Sequence, residues 1–295
     1  MTKAEEAFLV ILKDAIHPND KPSELPSYDW VSIFDVAKKQ NLFPLIYDAA
    51  IQYSSFSEFD SANPQYFSAA TAAMTVQMKK TEQFIDLYRS FLSFGFAPIT
   101  MKGIICRSLY GERGDFRPSG DEDILVDKKD YEKAVEILTT CGYGSDEQPD
   151  KALKVVQEVT FYSLGRDEPL TVELHLNPFG SKSIVRDKMN NWFEGVFQSN
   201  ETVIIQNTPI RTMTPTDHFL FLVFHAFKHF TGGGFGVRMM LDILLFAEKY
   251  GDGIDWKYID KALDEVGAHG FLADLMRIST ASSKSMKIRG RKKNW

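Results

Sequence analysis

The sequence predicts an α+β fold in which a small mixed β-sheet lies between two helical regions of the chain. Apolar residues recur at helical spacing up to residue 95 and again after residue 184, while strand and helix patterns alternate between them. Of the 295 residues, 44% are hydrophobic and 25% are charged, a composition that indicates a globular protein and excludes a disordered chain. We expect a helical N-terminal region at 1–95, an α/β core at 96–180, a helical C-terminal region at 181–281 and a basic, disordered tail at 282–295.

The N-terminal region is predicted to be helical because its apolar residues repeat every three to four positions. The clearest repeat runs from Phe84 to Leu92 and stops at Gly95, a residue type that commonly ends helices. Asn41 and Pro44 interrupt an earlier repeat. Helices are therefore predicted at 4–14, twice within 28–52 and at 67–94, with a polar loop at 53–66.

The middle of the chain alternates between strand and helix patterns, which predicts a small mixed sheet with flanking helices. Strands are predicted at 97–101, 124–126, 155–164 and 171–176, the last two as a hairpin, and helices at 103–110 and 131–140. Helices dominate again afterwards, at 184–197, 215–230, 237–250 and 255–266, with a hairpin at 202–212.

Acidic residues at the start of one predicted strand carry the strongest functional signal. Asp121 and Asp123 stand two residues apart, so their side chains share one face of the strand. Glu173 and His175 share a face of a later strand in the same way. Carboxylates this close repel each other, and a divalent cation such as Mg²⁺ relieves the repulsion. Three acids from two neighbouring strands can build a two-metal site for displacement at phosphorus.

Simpler interpretations of these residues stay open. Acid-rich turns often open strands without binding a metal, and a D-x-D pattern alone is weak. His175 is compatible with orienting Glu173 and equally with a hydrogen-bonded position in the core.

Basic and polar residues just before the acid pair add a second signal. Lys102 and Gly103 join a strand to a helix, where backbone N–H groups can receive a phosphate. Arg117 and Ser119 offer a guanidinium and a hydroxyl next to the acids. The alternatives are an exposed lysine at a strand end and, for the arginine, a surface ion pair with Asp115 or Glu112.

The order of these residues resembles the nucleotidyltransferase superfamily typified by DNA polymerase beta, and most closely a bacterial branch of it. That branch has a Lys-Gly turn, a tyrosine, an R-x-x-x-D-x-D strand, a helix ending in Gly-Tyr and a later acid-x-His strand. The matching residues here are Lys102-Gly103, Tyr110, Arg117 with Asp121 and Asp123, Gly142-Tyr143, and Glu173 with His175. The likeness spans most of residues 28–267. It departs at Glu122, where an apolar residue is usual, and at Glu173, where aspartate is more usual.

The resemblance implies a nucleotidyltransferase core that transfers an NMP from an NTP to a hydroxyl group and releases pyrophosphate. Asp121, Asp123 and Glu173 would bind Mg²⁺ or Mn²⁺, with Glu173 also a candidate general base. Four residues would position the triphosphate: Lys102, Gly103, Arg117 and Ser119. The acceptor would be an unidentified small molecule or protein. The alternatives are an inactive nucleotide-binding or protein-interaction module of the same fold, and an effector that modifies a protein or RNA.

Charge and composition bound the partners and the location. The net charge of −6 argues against a broad nucleic-acid-binding surface. Two cysteines without paired spacing and the lack of a long apolar stretch predict a cytoplasmic protein that does not interact with membranes. The sequence has no Walker A motif, which argues against a P-loop enzyme.

Two weaker patterns lie near the C-terminal helices. His225 and His229 are four residues apart on one predicted helix face, without the glutamate of a zinc-protease motif. They are interpreted as helix-packing residues, as residues of the cleft opposite the acids together with Lys228, or as metal ligands. The glycine-rich segment 231–236 is predicted to be a turn between two helices rather than a dinucleotide-binding loop.

Overall fold

The fold is built around one mixed β-sheet. A computed structural model describes residues 1–17, 22, 24–25, 29–146, 158–180 and 183–282. Within these residues seven strands form a sheet of order β3-β4-β5-β2-β1-β7-β6. The described part of the chain contains no helix that is long and apolar enough to cross a lipid bilayer.

The N-terminal region folds into five helices: α1 (Lys3–Ile16), α2 (Trp30–Lys39), α3 (Phe43–Ala50), α4 (Ser54–Ala62) and α5 (Pro64–Ser93). Asn41 has a φ of 53° and separates α2 from α3, whereas Pro44 lies in the first turn of α3, which tolerates proline. Gly95 follows α5 with a φ of 66°, as a helix-ending glycine should.

The predicted loop at 53–66 is wrong, because most of this segment is helix α4. Two aromatic residues of α4 explain the helix. The rings of Phe56 and Phe59 lie 4.9 Å and 6.4 Å from the ring of Trp30 on α2. Tertiary packing therefore overrides the polar composition of the segment.

The central elements are β1 (Ile99–Thr100), α6 (Ile104–Arg107), β2 (Asp121–Leu125), α7 (Tyr131–Thr140), β3 (Tyr143–Gly144), β4 (Glu158–Ser163) and β5 (Thr171–His175). Short 3₁₀ turns continue from α6 through residues 108–116, where a longer helix was expected. Strands β4 and β5 form the predicted antiparallel hairpin, although residues 155–157 of the prediction lie outside the described residues.

The C-terminal elements are α8 (Ile184–Asn191), β6 (Asn200–Ile205), β7 (Thr208–Met213), α9 (Pro215–Gly232), α10 (Val237–Tyr250), α11 (Trp256–Val266) and α12 (His269–Ser282). Helix α12 was not anticipated, and the expected tail beyond Ser282 lies outside the described residues. The β6–β7 hairpin joins the sheet through a parallel contact of Thr212 with Thr100, so the sheet extends past residue 180.

The two faces of the sheet are buried in different hydrophobic clusters. Ile124 of β2 packs in a cluster with residues of α5 and α7, while the adjacent Leu125 packs in a cluster with residues of α9, α10 and α11. Side chains alternate along a strand, so Asp121 and Asp123 point to the same side as Leu125. The acid pair therefore faces the C-terminal helices.

The turn between α9 and α10 brings the N-terminal region into contact with these helices. Gly233 and Gly234 have φ values of 137° and 109°, which confirms a glycine-dependent turn in the 231–236 segment. Just after it, the backbone N–H of Val237 donates a hydrogen bond of 2.8 Å to Oε1 of Gln40. A residue at the end of α2 thus caps α10.

Candidate functional site

Three carboxylates converge at the start of two parallel strands. Strand β2 pairs with β5 so that Asp123 lies directly opposite Glu173, and Asp121 lies two residues earlier on the same face of β2. This is the arrangement that the alternation of the two strands predicts. Asp123 is almost fully buried, whereas the side chains of Asp121 and Glu173 are 31% and 25% exposed. The acids therefore extend from the protein interior to the surface.

Lys102 lies between the two aspartates. Its Nζ is 3.2 Å from Oδ1 of Asp123 and 3.7 Å from Oδ2 of Asp121. Burial lowers the pKa of Lys102, but the charges of Asp123, Asp121 and Glu173 outweigh burial and raise it above its ordinary value. The lysine is not the exposed strand-end residue of the simpler interpretation.

His175 supplies a second positive group on the same carboxylate. Its Nε2 lies 3.2 Å from Oδ1 of Asp123 and 3.4 Å from Oε2 of Glu173. Burial lowers the pKa of His175, but the hydrogen bonds to the two carboxylates outweigh burial and raise the pKa to about 9. Burial raises the pKa of Asp123, but Lys102 and His175 lower it by a larger amount. The pKa of Asp123 is therefore well below its ordinary range.

The chemistry of this face fits a divalent metal ion. Asp123, Glu173 and His175 each offer a ligand atom, and these atoms lie within 4.8 Å of one another. Oδ2 of Asp123 is buried and has no hydrogen-bond partner among the described residues, so one lone-pair-bearing oxygen is left for a ligand. Carboxylate oxygens are the ligands that Mg²⁺ prefers.

Glu122 lies on the opposite face of β2 and has a structural role. Its Oε2 accepts a 2.8 Å hydrogen bond from the N–H of Ile104, and its Oε1 pairs with the buried guanidinium of Arg107. Burial raises the pKa of Glu122, and Arg107 opposes this effect. The departure from the usual apolar residue therefore anchors α6 and leaves the acid face unchanged.

Gly103 is required by this anchor. It has a φ of 53°, and a Cβ built on it would lie 2.0 Å from Oε2 of Glu122. The N–H of Ile104, which follows this turn, already donates to this carboxylate. Only glycine fits both the backbone conformation and the space.

Arg117 is held in a buried ion pair with a residue that is distant in sequence. Its Nε donates a 2.7 Å hydrogen bond to Oδ1 of Asp242 on α10, and its Nη2 pairs with Oδ2. Tyr110 donates to the same Oδ1 at 2.8 Å. Burial lowers the pKa of Arg117, but Asp242 outweighs burial and raises it. The partner is not Asp115 or Glu112, and the pair is not on the surface.

A cavity of about 470 Å³ adjoins the acid face. Asp121 and all four residues expected to position a triphosphate contribute to its wall. The other lining residues come mainly from α9 and α10 and from the segments beside the acids. The lining comprises Asn41, Lys102, Gly103, Cys106, Arg117, Pro118, Ser119, Gly120, Asp121, Leu222, His225, His229, Arg238, Met239 and Asp242.

The two α9 histidines lie in this cavity, as the cleft interpretation expects. Their rings are 4.6 Å apart. Burial lowers the pKa of His225 well below its ordinary value, and Lys102 and Lys228 add to the effect.

Ser119 makes a local hydrogen bond at the start of β2. Its Oγ donates to the backbone oxygen of Asp121 at 2.9 Å and so stabilises the segment that leads into the strand.

Sequence reasoning missed two charged cavity residues on α10. Arg238 donates to the backbone oxygen of Pro118, and Asp242 holds Arg117. The two residues are four positions apart, so their shared helix face was the available signal. Nothing in the local sequence connects that face to residue 117.

Comparisons with known proteins give the family of the chain. No curated protein matches the chain. One solved structure, of an antigenic nucleotidyltransferase-like protein from Paracoccidioides brasiliensis, aligns over 70% of this chain and 96% of its own, with 15% identity and a TM-score of 0.41. A family model described as uncharacterised nucleotidyltransferase matches residues 26–281. Because this match covers most of the sequence, the chain belongs to that family of uncharacterised nucleotidyltransferases.

Proposed function

We propose that the protein is a metal-dependent nucleotidyltransferase that transfers an NMP from an NTP to a hydroxyl group and releases pyrophosphate. The observation that carries the proposal is the convergence of Asp121, Asp123 and Glu173 beside a cavity lined by cationic side chains. We also propose membership of the DNA polymerase beta-like superfamily, because the acids follow a glycine-bearing turn in the expected strand order.

The acid face would hold Mg²⁺ or Mn²⁺, and the cavity would hold the triphosphate. Its volume is within the range of small-molecule sites, about 300–1,000 Å³. Lys102 and Arg238 supply positive charge from two different segments, the charge of Arg117 is paired with Asp242, and Gly103 and Ser119 also line the cavity. Because Lys102 contacts both aspartates and lines the cavity, its ammonium group can turn from the carboxylates to a phosphate.

In the proposed reaction, the acceptor oxygen bonds to the α-phosphorus as the bond to the bridging oxygen breaks. Pyrophosphate leaves with that electron pair. Glu173 would accept the hydroxyl proton, since its carboxylate is the acid of β5 and is partly exposed. A divalent ion bound to the acids would neutralise charge on the transferred group. Lys102 and Arg238 would position the substrate and offset its charge.

The acceptor that we propose is a hydroxyl-bearing small molecule or protein. The net charge of −6 disfavours an extended nucleic-acid surface. An inactive binding module is the second possibility, and Glu122 and the lack of an obvious acceptor motif are the two reasons for it. Since the Glu122 carboxylate faces α6, that residue gives no reason to doubt metal binding at the acids.

The test is calorimetric titration of each of the four NTPs with Mg²⁺ or Mn²⁺. Wild type is expected to bind one or more nucleotides only with metal, and Asp121→Asn/Asp123→Asn is expected to lose this binding. Asp127→Asn, an aspartate beyond the other end of β2, is the matched control and should bind like wild type.

The nucleotide that binds would then be supplied with a label at the α-phosphate to detect transfer to an acceptor. Metal-dependent binding without pyrophosphate release in long incubations would favour the binding module. Equal nucleotide affinity of the double variant and wild type would refute the proposed site.

A further inference from the structure

We propose that His175 binds the metal ion through Nε2 together with Asp123 and Glu173, and that the site therefore selects a first-row transition ion such as Mn²⁺ over Mg²⁺. This inference rests on the proposed function, because it concerns the same metal site. It replaces an all-carboxylate site by one with a nitrogen ligand, and Nε2 of His175 releases its proton to solvent when the ion binds.

The three side chains are spaced as neighbours around a single ion. Nε2 of His175 is 3.2 Å from Oδ1 of Asp123 and 3.4 Å from Oε2 of Glu173. Metal–ligand bonds of about 2.1 Å place adjacent ligand atoms about 3.0 Å apart in an octahedron and about 3.4 Å apart in a tetrahedron. The two observed distances are close to these values, and the ligand atoms of all three residues lie within 4.8 Å of one another, which is compatible with a single shared ion.

A carboxylate lies near the second ring nitrogen of His175. Nδ1 lies 3.8 Å from Oε2 of Glu158, which is opposite His175 in the β4–β5 ladder. Nδ1 is buried and has no hydrogen-bond partner among the described residues. Histidines that bind metals through one nitrogen usually donate from the other to a carboxylate or carbonyl. The side chain of Glu158 is 35% exposed, so it has room to close the remaining gap.

The ligand identity sets the expected metal preference. Mg²⁺ is coordinated by oxygen ligands, whereas imidazole is a common ligand of first-row transition ions. His175 is almost fully buried between the carboxylates, so solvent does not compete for its ring. The site thus offers nitrogen where an all-carboxylate site would offer oxygen or water.

The test uses the full chain with Mn²⁺ as the probe metal. Electron spin-echo envelope modulation detects ¹⁴N nuclei bonded to Mn²⁺. Wild type is expected to show imidazole modulation that changes to the ¹⁵N pattern after histidine labelling and is absent from His175→Asn. His225→Asn, which removes an imidazole of the adjoining cavity, should keep the modulation.

Metal affinity gives an independent readout. By Mn²⁺ titration, His175→Asn is expected to weaken binding at least about tenfold and Glu158→Gln about tenfold. Mg²⁺ affinity, measured by competition, should change less in both variants. The surface variant Glu158→Gln keeps the test decisive if His175→Asn does not fold.

The outcomes separate this inference from the proposed function. Mn²⁺ bound without nitrogen modulation, or modulation that persists in His175→Asn, would overturn the ligand assignment and leave the transferase proposal intact. If wild type binds no Mn²⁺ even with NTP present, both proposals fail.

Discussion

Gly103→Ala tests whether Glu122 and Gly103 act as one unit. The substitution places a Cβ 2.0 Å from Oε2 and 2.6 Å from the carboxyl carbon of Glu122, closer than any real contact. The carboxylate cannot move aside cheaply, because it is buried and bound to Arg107 and to the N–H of Ile104. The backbone at Gly103, with φ 53° and ψ −113°, is also strained for any residue with a side chain.

Gly111 provides a control that isolates the backbone strain. Its φ of 59° and ψ of −131° nearly match those of Gly103, but a Cβ on it would meet nothing within 4 Å. Gly111→Ala should therefore lower the free energy of unfolding by about 1–3 kcal/mol from strain alone. Gly103→Ala should lower the free energy of unfolding by the same strain and by up to about 3–5 kcal/mol more, because the Glu122–Arg107 pair must be disrupted.

The assay is urea unfolding of the single variants and of Gly103→Ala in a Glu122→Ala background. Without the carboxylate, alanine at 103 should cost only what it costs at 111, since the clash is gone. Equal losses for Gly103→Ala and Gly111→Ala in the otherwise unchanged protein would refute the reasoning.

Three further predictions concern charged groups. Lys102→Met should raise the affinity for Mn²⁺ in the absence of nucleotide at least about tenfold. The reason is that Nζ lies within 3.7 Å of both aspartates and competes with a metal ion. Unchanged affinity in an electron paramagnetic resonance titration would contradict this prediction. Asp242→Asn should lower the free energy of unfolding by about 3–5 kcal/mol, because it leaves the guanidinium of Arg117 buried without a counter-charge. In urea unfolding, Asp242→Asn/Arg117→Met should recover part of this lost stability. Burial lowers the pKa of His218 from 6.5 to about 3. The unfolded chain therefore takes up a proton that the folded chain does not, and the stability contributed by His218 is complete above pH 6.5 and is lost as the pH falls towards 3. The loss at pH 5 is about 2 kcal/mol, and a His218→Gln variant whose thermal melts show the same acid sensitivity as wild type would disprove it.

The geometry of the acids could be predicted in part from the sequence, because the strand face on which each acid lies depends only on local periodicity. Asp121 and Asp123 share a face through the two-residue repeat of a strand, and Glu173 joins them through the pairing of two strands. The same repeat also places Glu122 on the opposite face. Its partner Arg107 could not be identified, because that contact depends on how α6 folds back over β2.

The partners of the cationic residues lay beyond local patterns. Arg117 and Asp242 are 125 positions apart, and only the packing of α10 against the 3₁₀ turns brings them together. Lys102 was assigned to a phosphate from the turn that contains it, although its contact with both aspartates depends on how β1 and β2 pair. Helix α4 was missed for a related reason, since its stability comes from aromatic packing against α2.

The two cations on Asp123 have a consequence for biogenesis. Many metal sites concentrate uncompensated negative charge, and the chain then folds only when the ion is supplied. Here Lys102 and His175 balance that charge from within the polypeptide. We therefore expect the chain to fold before any ion arrives, and a chelator should lower its thermal stability only by the amount that binding of the ion adds. Under the proposed function, metal supply would then govern the activity of the protein more than the amount of folded protein.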